Sequence, residues 1–128
     1  MDELSLKLVF VSGVLNLMFA VFHMMFWRLF KWKDELGRIS ADNRSIMQVL
    51  NLVLIFVFIA AAYIAFFHGP ELIQTQLGKT LLISGALFWL LRAIYQPVFW
   101  GLNKISIILT AIFILEAVIN LVPVVWRG

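Results

Sequence analysis

Four apolar runs, each about as long as a bilayer's hydrocarbon core is thick, constrain this chain more than any other feature. They cover residues 8–27, 46–67, 80–100 and 105–126. A helix rises 1.5 Å per residue, so roughly 20 apolar residues cross about 30 Å of hydrocarbon. Lys7, Arg28, Arg44, Lys79, Lys104 and Arg127 stand beside the runs, where a spanning helix must return to water. Barrel strands would alternate apolar and polar side chains over about ten residues, and these runs do not. The expectation is an all-α integral membrane protein. It is a single domain over residues 1–128, a four-helix transmembrane bundle with up-down-up-down topology.

Composition supports this and removes other classes. Apolar residues make up 63% of the chain and charged residues 13%, too little charge for a surface in water. Basic residues flank the runs instead of forming a face, so the lipid bilayer is an expected partner and nucleic acid is not. Cysteine is absent, which removes disulfides, thiolate metal sites and cysteine nucleophiles. The first run reads as a retained helix and not a signal peptide. Asp2 and Glu3 precede it, it is too long for a signal's apolar core, and no small-residue cleavage pattern closes it.

The connections, residues 28–45, 68–79 and 101–104, are short enough to make neighbouring helices antiparallel. Gly101 and Asn103 mark the last as a tight hairpin. Trp27, Trp32, Trp100 and Trp126 lie near the expected helix ends, at headgroup level. The first connection carries Arg28, Lys31, Lys33, Arg38 and Arg44 and the third Lys104, against Lys7, Lys79 and Arg127 on the other side. The positive-inside rule then puts the first and third connections in the cytoplasm and both termini outside, with the bacterial inner membrane as the expected location.

Polar side chains inside the runs are the candidates for function. Counted from the cytoplasmic helix ends at 1.5 Å per residue, Gln48 lies about 3 Å deep, His23 about 6 Å and Asn51 about 8 Å. Arg92 lies at about 12 Å, and Asn16 and Glu116 at about 17 Å. Helical spacing lines them up as Ser12, Asn16 and His23; Arg44, Gln48 and Asn51; Arg92, Tyr95 and Phe99; and Glu116 with Asn120. Facing lipid is costly for such groups, so the four stripes are expected to turn inward and meet. The candidate ligand-binding set is Asn16, His23, Arg44, Gln48, Asn51, Arg92, Tyr95 and Glu116.

Arg92 and Glu116 stand out as a pair at similar depth. An unpaired charge near mid-membrane costs about 2.5–3.5 kcal/mol on insertion scales, and pairing relieves that. The couple reads as a substrate anchor or proton-handling pair, as a structural ion pair, or as a protonated Glu116 that only hydrogen-bonds across helices. His23 reads either as a proton shuttle or as a hydrogen-bonded structural histidine. His23 and His68 fall about 27 Å apart along the bundle axis, so no metal site is expected, and no cofactor. Asn16, Gln48, Asn51 and Asn120 serve either a ligand or interhelical hydrogen bonds. Pro97 removes the backbone bond to Ala93, which opens the helix beside a site or merely kinks it near its end. Residues 29–45 mix Phe30 and Trp32 with lysines, as a helix on an anionic leaflet or a solvated basic loop would. Glycine-rich phosphate loops, GxSxG and HExxH are missing from the sequence.

The topology and two short motifs resemble the membrane-associated proteins in eicosanoid and glutathione metabolism. Arg44, Gln48 and Asn51 are similar to that family's R-x-x-x-N-x-x-E, with Gln48 in place of its asparagine and Asn51 in place of its glutamate. Arg92, Tyr95 and Phe99 are similar to its R-x-x-[YH]-x-x-x-Y. The pattern looks most like the family's uncharacterised bacterial relatives. The resemblance implies a trimer that binds glutathione or lipid between subunits, in the cytoplasmic half, with Arg44, Gln48, Asn51, Arg92 and Tyr95 lining the cleft.

Three readings of function follow. In the first, a polar pocket in the cytoplasmic half of the bundle binds or transports a small polar or amphipathic ligand. Two gates need more than one four-helix bundle, so a homo-oligomer, a dimer or trimer, is expected. In the second, the chain is an integral membrane enzyme that handles glutathione or lipid. In the third, it is a structural subunit of a membrane complex.

Overall fold

The computed structural model describes residues 3–126; Asp2 and Arg127, used above, lie outside the described residues. Within them the backbone is helical almost throughout. The long helices are α1 (Glu3–Met24), α4 (Ala41–Phe67), α6 (Gln76–Trp100) and α7 (Lys104–Val125). All four are long and apolar enough to cross a membrane. Between them stand the short helices α2 (Phe26–Leu29), α3 (Trp32–Glu35) and α5 (Gly69–Gln74), with a 3-10 turn at Leu36–Arg38.

Three helices begin four or five residues before the apolar runs do. Hydropathy marks the greasy stretch, while backbone hydrogen bonding continues as long as side chains at the helix end can reach water. Lys7 and Glu3 illustrate this with an exposed ion pair of 3.4 Å one turn apart. The first run, by contrast, stops early at Met24. The first connection is therefore no open loop: α2 and α3 fold within it, joined through Lys31 in a left-handed conformation (φ 52°).

Caps define the remaining boundaries. Thr75 accepts a 2.9 Å hydrogen bond from the Gly78 amide and opens α6. Gly78 is needed there, because a Cβ would collide with the backbone of Glu71 and Leu72. Gly101 ends α6 at φ 77°, a conformation that favours glycine. Asn103 then accepts from the Ser106 amide at 2.9 Å and donates to the Trp100 carbonyl at 3.0 Å, fixing both sides of the turn. The helix continues unbroken through Pro97 to Trp100.

The chain divides into two compact units. The first contains residues 3–12 and 65–126. Its apolar core gathers Val9, Ala65, Leu72 and Leu82, with Ile73 and Val124 against them. Here α6 and α7 pack as an antiparallel pair. Trp89 stacks on Phe113 at 5.6 Å and Gln96 bonds Ser106, so contacts climb one helix as they descend the other. The second unit is residues 13–64, where Phe19 packs on Phe58 at 5.8 Å and Trp32 and Leu36 are buried. In both units the outward faces are apolar: Phe56 is 71% exposed and Val98 69%. A surface of that kind belongs against apolar surroundings.

Candidate functional site

Glu116, in α7, has no exposed surface at all. A buried carboxylate needs donors, since leaving it bare costs several kcal/mol. The Ser12 hydroxyl donates to its Oε1 at 2.7 Å. The Asn120 amide, one turn along, donates to the same oxygen at 3.1 Å and to the Glu116 carbonyl at 2.8 Å. Gly85 on α6 makes room for this arrangement: a Cβ there would stand 3.1 Å from Asn120 Oδ1.

Arg92 does not pair with Glu116, contrary to the expectation from their depths. Its guanidinium lies over two rings instead, 4.5 Å from the Phe113 centroid and 5.1 Å from that of Trp100. Trp100 closes α6, and Glu116 lies one turn beyond Phe113 on α7. The arginine is therefore held between a ring of its own helix and one of α7, and the carboxylate is met by other groups. Among the described residues, buried Arg92 Nη1 has no hydrogen-bond partner, and neither does Gln96 Oε1 one turn later.

Tyr95 also departs from expectation. It is 48% exposed and Phe99 73%, so the stripe of Arg92, Tyr95 and Phe99 does not turn inward. The inward line of α6 is Leu82, Ala86, Trp89, Ala93 and Gln96. Ser5, Gln96 and Ser106 are buried polar residues that the sequence reading missed, and Gln96 Nε2 donates to Ser106 Oγ at 3.2 Å. The signal was present. Ala86, Trp89, Ala93 and Gln96 keep a spacing of three and four, and Arg92 sits one position off it.

In the second unit, His23 Nδ1 meets the Phe19 carbonyl at 2.8 Å. A carbonyl only accepts, so Nδ1 carries the hydrogen. The imidazole stacks on Phe26 at 4.4 Å, with Phe58 at 5.0 Å and Phe22 at 5.9 Å. Asn51 is buried, and its Nδ2 donates to the His23 backbone carbonyl at 3.1 Å, tying α4 to α1. Asn16 is buried as well. Arg44 and Gln48 are half-buried, so the stripe of Arg44, Gln48 and Asn51 does grade inward along α4. Gln48 lines a depression of about 310 Å³ with Trp27, Ser45, Val49 and Leu52.

The structure thus brings Glu116 to Ser12 and Asn120, His23 to Asn51, and Arg92 to Trp100 and Phe113. No family model, curated protein or solved structure matches the chain, so its function has to be argued from these groups alone.

Proposed function

We propose that this chain crosses a bacterial inner membrane four times, up-down-up-down, and binds or moves a small polar or amphipathic ligand. Both termini lie outside, and the basic first and third connections are cytoplasmic. The observation that carries the reading is the pair of buried, unmatched groups on α6. Arg92 Nη1 is a charged donor and Gln96 Oε1 an acceptor, and neither has a hydrogen-bond partner among the described residues. Buried polar atoms nearly always find partners, and a ligand with an anionic or acceptor group and a donor group would satisfy both. The rings of Trp100 and Phe113 on the guanidinium suit an amphipathic molecule. Glu116, enclosed with Ser12 and Asn120, supplies a titratable group for coupling to protons. Movement across the membrane then calls for a homo-oligomer, since two gates need more than one bundle.

A thermal-shift screen in detergent tests this, with carboxylates, phosphates and amphipathic anions as probes. A stabilising compound should lose its effect in Arg92→Met and Gln96→Leu. Uptake by proteoliposomes under a pH gradient should stop in Glu116→Gln while the protein still folds. A screen in which every stabilising compound works equally on Arg92→Met would overturn the reading.

The enzyme reading, with its resemblance to the glutathione and eicosanoid family, draws on one observation. Tyr95 stands exposed on α6 three residues from Arg92, a position available to a second copy. It predicts turnover of a glutathione or lipid electrophile that Tyr95→Phe abolishes.

A further inference from the structure

The depression on the second unit has a built-in polarity gradient. Its α4 wall consists of Ser45, Gln48, Val49 and Leu52, spaced so that all four share one helical face. Along that face a hydroxyl and an amide come first, near the start of the helix at Ala41, and apolar side chains follow deeper in. Trp27 forms the other wall and is 44% exposed. Its indole meets Trp32 at 6.0 Å, which holds the wall in place. A groove that is polar at the rim and apolar below fits a molecule with the same order of chemistry.

Charge selects among such molecules. Arg28 adjoins Trp27 and Arg44 adjoins Ser45 in the chain, so each wall carries an arginine next to a lining residue. Neither arginine makes an ion pair among the described residues, whereas Arg38 is paired with Glu35 at 3.9 Å. Lys31 and Lys33 extend the basic character of the same segment and are exposed. Asp34 and Asp42 oppose this, leaving a surplus of basic side chains in the segment that carries the two walls.

We propose that this groove is a binding site for an anionic phospholipid, with the headgroup phosphate at Arg28, Arg44, Ser45 and Gln48 and an acyl chain along Val49 and Leu52. Trp27 packs against the glycerol region, where indole rings prefer to lie. The inference rests on the membrane reading above but not on the polar groups of α6.

Native mass spectrometry of detergent-released protein titrated with phosphatidylglycerol or phosphatidylcholine tests it. The wild type should retain phosphatidylglycerol in preference, and Arg28→Gln and Arg44→Gln should each cut that preference about fivefold, the scale of one basic residue's attraction to an anionic leaflet. Trp27→Ala and Gln48→Leu should weaken retention of both lipids. Glu116→Gln should leave lipid retention unchanged, which separates this site from the ligand site. Equal retention of the two lipids by the wild type would overturn the proposal. So would a Trp27→Ala variant that retains lipid normally but falls apart into smaller assemblies, since the groove would then hold a second copy.

Discussion

Around Glu116 the chain supplies hydrogen-bond donors, whereas around His23 it supplies rings. The carboxylate is fully enclosed and receives Ser12 and Asn120. The imidazole is half-buried, lends its Nδ1 hydrogen to the carbonyl of its own helix, and is boxed by Phe22, Phe26 and Phe58. The difference follows from what each group needs. A carboxylate offers only acceptors when ionised, so it must be met by N–H or O–H. An imidazole whose Nδ1–H is satisfied can turn its ring faces to apolar partners. One region is therefore specified by hydrogen-bond donors, Ser12 from α1 and Asn120 one turn away, and the other by rings from its own segment and from α4.

The sharpest way to break this comparison is to remove the acceptor. Glu116→Ala leaves the Ser12–Glu116 and Asn120–Glu116 bonds unmade and opens a cavity. It should cost about 3–5 kcal/mol in equilibrium unfolding from mixed micelles. Glu116→Gln keeps a carbonyl oxygen for both donors and nearly the same volume, and should cost far less. Equal losses in the two variants would mean that charge, not donor matching, dominates. A milder probe is Ser12→Ala, which leaves a buried acceptor short of one donor and should cost about 1–3 kcal/mol by the same measurement.

His23→Phe probes the other region. The ring box keeps its filling, the Asn51 bond goes to the His23 backbone and survives, and the bond to Phe19 is lost. The expected cost is under about 1 kcal/mol. A loss as large as that of Glu116→Ala would show that the imidazole, and not its aromatic shape, organises the second unit.

Much of the helical layout was legible in the sequence, because a hydrocarbon-length run leaves few alternatives. Gly101 and Asn103 announced the turn between α6 and α7 and occupy it. The stripes were legible in part. Glu116 and Asn120 do stack, and Arg44, Gln48 and Asn51 do run inward. Periodicity failed at Arg92, Tyr95 and Phe99 because it fixes which residues share a face, not which way that face turns. Gln96 shows the other limit. A single amide in an apolar helix carries no sign of burial until the small residues Ala93 and Ala86, about one and three turns before Gln96 on the buried line, are read with it. The early start of α4 was hidden for a related reason, since Asp42 and Arg44 interrupt hydropathy without interrupting helix.

The smallest expected effect concerns the two intramembrane charges together. Depth alone suggested that Arg92 and Glu116 neutralise each other, yet the guanidinium lies over Phe113 and Trp100 while the carboxylate takes Ser12 and Asn120. A double-mutant cycle of Arg92→Met and Glu116→Gln separates these arrangements. Independent sites add to within about 0.5 kcal/mol, whereas members of one network couple by up to about 3 kcal/mol. Additivity is the expected result. Arg92→Met on its own should be nearly neutral or slightly stabilising, because the methionine still packs on both rings and removes a buried donor that has no hydrogen-bond partner. Coupling above about 1 kcal/mol would restore the ion pair, and with it a structural role for Arg92 in place of a ligand anchor.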